Sequence, residues 1–204
     1  MKKKLFSFAL CLSAAAIWSC NNSGESTASS DSTTRASSTD TTGNTATNSS
    51  TMSTPANSTP LSKEDSTFVM KAAVGGLMEV QAGKVAQDNA QNQRVKDFGG
   101  MMVTDHSKAN DELKSYASGH GITLPESLPA AQQKEIDAMK NMKGSAFDRH
   151  YVSMMVEDHQ KDVAEFKKQS TGAKDDQLKS WVTNTLPTLQ KHLDSIQAIK
   201  KGLK

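Results

Sequence analysis

Cysteine is almost absent from this 204-residue chain: there are two, Cys11 and Cys20, both close to the N-terminus. Beyond Cys20 there can be no disulfide, no thiolate metal ligand and no cysteine nucleophile. Long apolar runs are missing too. Leu5 to Ile17 is an apolar stretch of about 13 residues, too short to cross a hydrocarbon core of about 30 Å as a helix. The formal net charge is only +2. There is no basic stripe with interleaved aromatics and no Gly-rich phosphate loop, so nucleic acid is not expected as a partner. From about residue 63 onward there is no period-2 alternation, which excludes a spanning barrel. No Ser-His-Asp order and no paired-carboxylate motif occurs, so the sequence leans away from an enzyme.

What the N-terminus does contain is an export signal. Lys2, Lys3 and Lys4 precede the apolar run, which stops at Ile17-Trp18-Ser19-Cys20. That end resembles a lipobox, with an aliphatic residue at −3, a small residue at −1 and then the cysteine to be acylated; Trp18 departs from the usual small residue. Ordinary signal cleavage nearby is the alternative. The expectation is a signal peptide over 1–19, lipid attachment at Cys20, and a protein anchored by its acyl chains to a membrane of the cell envelope, the outer membrane being the expected one.

Residues 20–62 are dominated by Ser and Thr, with almost no aliphatic side chains. Such a segment cannot bury enough apolar surface to offset chain entropy, so it is expected to be a disordered tether, reaching on the order of 35 Å. Asp31-Ser32-Thr33, Asp40-Thr41-Thr42 and Asp65-Ser66-Thr67 look like a bacterial O-glycosylation acceptor pattern at Ser32, Thr41 and Ser66. Chance matching in a Ser/Thr-rich tract is the alternative.

Residues 63–204 read as one helical domain, rich in Ala, Met, Lys, Gln and Leu. Long helices are expected at about 66–90, 92–118, 145–171 and 175–201, with a short one at about 130–142 in the middle connection. Ser145 and Asp148 look like a capping box for the third long helix. Short loops make two antiparallel hairpins, and the long middle connection permits a crossover, as in ferritin-like four-helix bundles. Pro187 falls inside the last helix and should bend it.

Each long helix carries an apolar seam at three- and four-residue steps, and each seam holds one strongly polar residue: Glu79, His106, His159 and His192. A lone histidine on a seam is usually a satisfied core residue. One polar group per helix, four times over, is harder to ascribe to chance, because buried charge is costly unless paired or coordinated. Three imidazoles and a carboxylate would suit one transition-metal ion, zinc, iron or copper. Gly76 and Gly83 flank Glu79 on its seam and would leave room around its carboxylate.

An internal echo accompanies this. Met101 to Lys108 and Met154 to Lys161 share the pattern Met-Met-Val-x-Asp-His-x-Lys. Asp105 and Asp158, each preceding a histidine, could orient imidazoles on neighbouring helices. Met102 with His106 and Met155 with His159 share a face, a soft pairing that would suit Cu(I), although methionines at helical spacing are usually core filler.

The runs Gly75-Gly76-Leu77-Met78-Glu79-Val80, Val95-Lys96-Asp97-Phe98, Met102 to Asn110, Leu124-Pro125, Phe147 to Tyr151, Asp158-His159 and Thr185 to Leu193 resemble a bacterial family of unknown function, domain of unknown function 4142. Its members are often called predicted outer membrane proteins. The resemblance spans nearly all of the chain after Glu64 and implies a ferritin-like fold and an envelope location, but no activity. Di-iron ferritin-like proteins carry Glu-x-x-His twice; no Glu-x-x-His occurs here, which argues against iron storage or di-iron oxidation. Two functions are therefore expected to compete: a tethered interaction or structural module with an envelope protein partner, and a metal-binding bundle.

Overall fold

The computed structural model describes residues 60–203. The signal segment, Cys20, most of the tether, Ser32 and Thr41 lie outside the described residues. The remainder forms α1 (Lys63–Asn89), α2 (Gln93–Gly119), α3 (Ala130–Lys140), α4 (Gly144–Gly172) and α5 (Asp176–Gly202), with no strand among the described residues. α1 packs mainly on α2 and α4 mainly on α5, while α3 lies against α1 and the two hairpins meet through α1 with α4 and α2 with α5. This is a four-helix bundle of the ferritin-like type, with the short helix in the crossover connection.

The helix starts follow from side-chain caps. Ser62 accepts from Asp65 N at 3.0 Å, Asn92 from Arg94 N at 2.9 Å and Asp175 from Leu178 N at 2.7 Å. The Ser62 cap explains why α1 begins at Lys63, a few residues before the periodicity suggests.

α4 is the exception, and here the capping-box expectation fails. Its N-cap is Lys143 with no side-chain cap, and Gly144 opens the helix at φ 61°. Asp148 is buried and used elsewhere: its carboxylate accepts from Gln91 N at 3.0 Å and Asn92 N at 2.9 Å, tying down the α1–α2 loop. Asp65 on α1 does the reciprocal job, accepting from Gln169 Nε2, Lys174 N and Asp175 N at the α4–α5 loop. Each hairpin thus fastens the other's loop with one buried aspartate. Ser66 stands half-buried on α1 beside that aspartate, and Thr67 is exposed.

The seams named from the sequence all face inward. Val69, Val95, Met102, Val152, Leu178, Val182 and Ile196 are completely or almost completely buried. The glycines of α1 act differently from expectation. A Cβ on Gly83 would stand 2.6 Å from Gly99 O on α2, and one on Gly76 would collide with Asn110 of α2. They let α2 approach closely, and Gly76 also lines the small cavity that Glu79 borders. α5 runs through Pro187 as one helix, with Pro187 on its exposed side.

Candidate metal centre

The crossing of four seams puts three imidazoles together. His106 from α2, His159 from α4 and His192 from α5 have ring centroids 5.8, 5.4 and 5.3 Å apart, taken pairwise. One ring nitrogen from each lies within 4.8 Å of the others. All three side chains are buried, His159 completely. Phe98 of α2 stands edge-on against His159 and His192, giving the group an aromatic wall.

Each imidazole has one nitrogen held by an acceptor, and the three acceptors differ. His106 Nδ1 donates to Glu79 Oε2 at 2.8 Å. His159 Nδ1 donates to the Met155 carbonyl at 3.0 Å, one turn back on its own helix. His192 Nε2 donates to Asp105 Oδ2 at 2.8 Å. Those contacts fix the tautomers and leave His106 Nε2, His159 Nε2 and His192 Nδ1, all buried and without a hydrogen-bond partner within the described protein.

Burial keeps these rings neutral. It lowers the His106 pKa to about 4 and pulls His159 and His192 below the ordinary imidazole range, outweighing the nearby carboxylates. The contacts with Glu79 and Asp105 are therefore bonds from neutral N–H groups rather than ion pairs. Glu79 is pushed up by burial, and so is Asp162 on α4, which hydrogen-bonds to it; the Glu79 charge raises Asp162 further. Two carboxyls that share a hydrogen bond must share a proton, so this pair keeps one well above the usual carboxylate range.

Of the residues expected to act at this site, the structure brings Glu79, His106, His159, His192 and Asp105 together, but with roles redistributed. Glu79 serves as the acceptor that orients His106. Its other oxygen, Oε1, is buried without a hydrogen-bond partner within the described protein and lies 3.4 Å from His159 Nε2, so the carboxylate stands against two of the three imidazoles. Asp105 orients a histidine on another helix, as the echo suggests. Asp158 does not: it is half-buried at the surface with Lys161 Nζ at 3.6 Å, and the Met155 carbonyl fills the corresponding role for His159. Asp158 fails because its own helix supplies a carbonyl in the right place. Met102 and Met155 are both completely buried in the core.

Asp162 escaped the sequence reading, yet a signal for it exists. Glu79 and Asp162 stand at the same sequence separation as the reciprocal aspartates Asp65 and Asp148. Tyr151 belongs near the site as well. Its hydroxyl is buried without a partner within the described protein, and burial together with the Glu79 charge pushes its ionisation upward.

The fold recurs in solved structures. A DUF305 fragment from Deinococcus radiodurans matches with a TM-score of 0.60 at 11% identity, covering 69% of this chain and 97% of that one. CopM in the Cu(I)-bound form matches at 0.57 and 13%, covering 68% and 96%. A DUF305 protein from Streptomyces coelicolor matches at 0.58 and 12%, covering 69% and 94%. At these identities the likeness is one of fold. No curated protein matches. The family described as Domain of unknown function (DUF4142) matches residues 50–199, the whole bundle up to its last turn, and this chain belongs to it.

Proposed function

We propose that the bundle binds one transition-metal ion through His106 Nε2, His159 Nε2 and His192 Nδ1. The observation that carries this is three buried, neutral imidazoles that bring one ring nitrogen apiece within 4.8 Å of one another, each ring having one nitrogen without a hydrogen-bond partner within the described protein. Buried polar atoms are nearly always hydrogen-bonded, and each exception calls for an explanation. Three converging exceptions, each on a ring locked by an acceptor on its other nitrogen, match how proteins prepare histidine ligands. Imidazole donors suit Zn²⁺, Cu²⁺ and Fe²⁺. The copper-bound state of one protein of this shape supports copper as the first ion to try. The reading as an interaction or structural module has no observation of comparable specificity behind it. The lipobox-like run ending at Cys20 supports a location on an envelope membrane, with the tether lifting the bundle away from it. No helix among the described residues is long and apolar enough to cross a membrane.

The test is thermal unfolding with chelator, then with each ion in turn, together with elemental analysis of protein purified from its native envelope. An ion that binds only the folded state stabilises it by about 2.7 kcal/mol at a hundredfold excess over Kd. At least one ion is expected to raise the midpoint, and His106→Ala, His159→Ala and His192→Ala should each remove that rise. If no ion shifts the wild-type midpoint, the reading is wrong.

A further inference from the structure

A cleft of about 560 Å³ lies where α1, α3 and α4 meet. Its carboxyls form a gradient of burial: Glu135 is exposed, Asp158 and Asp162 are half-buried, and Glu79 is 4% exposed. Lys71 and Lys161 are the opposing charges; both are exposed, and Lys161 Nζ stands 3.6 Å from Asp158. At Glu79 the cleft ends and the imidazoles begin. Glu79 Oε2 holds His106 Nδ1 at 2.8 Å. Glu79 Oε1, without a hydrogen-bond partner within the described protein, lies 3.4 Å from His159 Nε2.

A smaller cavity of about 50 Å³ lies inside the bundle, bordered by His106 and His192. Gly75, Glu79 and Asp162 line both spaces. Cleft and cavity are thus parted by two carboxyls and by a position with no side chain. A Cβ at Gly75 would meet nothing within 4 Å, so no neighbour fills the opening there. One water needs roughly 10–15 Å³ on this measure, so the cleft admits an ion with its water shell and the inner cavity only a few waters. An ion moving inward must therefore exchange water for protein donors, because a buried charge is costly unless it is coordinated. The carboxyls offer oxygens in the order of their burial.

Resting on the trihistidine reading, we propose that this cleft is the route by which the metal ion enters and leaves the site. The ion passes between α1 and α4 at Gly75, is handed inward by Asp162 and Glu79, and meets His159 Nε2 as the first imidazole nitrogen. Glu79 then has two roles, as the acceptor that orients His106 and as the last oxygen on the path. The competing entrance runs past Asp105 and Thr188, on the side of α2 and α5.

The experiment follows Cu²⁺ uptake by the metal-free full chain in stopped flow, and release to excess chelator, both read by tryptophan fluorescence. Trp181 borders the inner cavity and serves as the reporter. Gly75→Leu fills the opening and replaces neither an imidazole nor a carboxyl. A blocked route raises the barrier and leaves its end states alone, so uptake and release should slow by the same factor, about tenfold or more, with equilibrium affinity unchanged. Lys71→Glu, a change at an exposed position, should speed uptake at low salt and lose that gain at high salt. Thr188→Leu should alter neither rate. Unchanged rates in Gly75→Leu, a loss of affinity there in place of a loss of speed, or slowing by Thr188→Leu alone would each overturn the route and leave the trihistidine reading standing. Uptake indifferent to Lys71→Glu at low salt would also overturn it. If the wild type takes up no stoichiometric Cu²⁺, the trihistidine reading falls and this inference with it.

Discussion

Asp105 on α2 and His192 on α5 meet across the bundle, with Asp105 Oδ2 2.8 Å from His192 Nε2. Asp105 is half-exposed while the imidazole is 1% exposed, so the pair joins the solvent-facing rim to the interior of the site. Removing the carboxylate charge should loosen the ring and weaken its free nitrogen as a donor. Asp105→Asn is therefore expected to lower metal affinity by about 10–100-fold with little change in helix content. Asp158→Asn, at the equivalent place in the echo but paired with Lys161, should change affinity far less. Competition against a chelating indicator measures both. Equal losses in the two variants would mean that the effect is general surface charge and not orientation of His192.

The contrast between these aspartates shows what the sequence could and could not disclose. The seams were legible because helical periodicity is local, and one polar group per seam marked Glu79, His106, His159 and His192. Which of them would ligate was not, because that depends on the direction of each ring nitrogen. The visible echo pairs a stretch of α2 with a stretch of α4. The tertiary correspondence between hairpins instead matches α1 with α4, as Asp65 with Asp148 shows, and there Glu79 falls opposite Asp162. Asp148 was misread for a related reason: its spacing from Ser145 suits a local cap, but a bond to the distant α1–α2 loop won.

The close approach of α1 and α2 sets the distance between Glu79 and His106, and Gly99 is one of the residues that allows it. A Cβ there would sit 2.7 Å from Gly83 O and 2.9 Å from Ala86 Cβ. Gly99→Ala must push the helices apart, at a cost of about 1–3 kcal/mol. Gly75→Ala meets nothing within 4 Å and should stabilise the helix by up to about 1 kcal/mol. Urea unfolding of both, with and without metal, checks the pair of signs. Gly99→Ala should also weaken metal binding, and unchanged affinity in a destabilised variant would show that the site tolerates a wider helix spacing.

Anchoring through Cys20 predicts that Cys20→Ser moves the protein from the membrane to the soluble fraction of the envelope. The measurement is fractionation followed by a high-salt wash, which removes proteins held by charge alone. Retention of the variant on washed membranes would rule out the lipid as the anchor.

The metal-free site should be sensitive to pH in two opposed ways. His106 has its folded pKa lowered from 6.5 to about 4. Its contribution is present above the unfolded value and is lost as pH falls through about 4. Asp162 has its folded pKa raised from 3.8 to about 8 by burial and by the Glu79 charge. Its contribution is complete below the unfolded value and is lost as pH rises towards about 8. With chelator present, the wild-type midpoint should therefore decline on both sides of an intermediate maximum. Asp162→Asn removes the group whose ionisation is resisted but keeps a side chain that can hydrogen-bond to Glu79. The variant should follow the wild type on the acid side and melt higher on the alkaline side, with the gap widening between about pH 4 and pH 8. Thermal melts across this range in chelator give the answer. A gap that stays constant with pH would show that Asp162 and Glu79 do not share a proton in the folded state, and that the carboxyl pair is open to solvent.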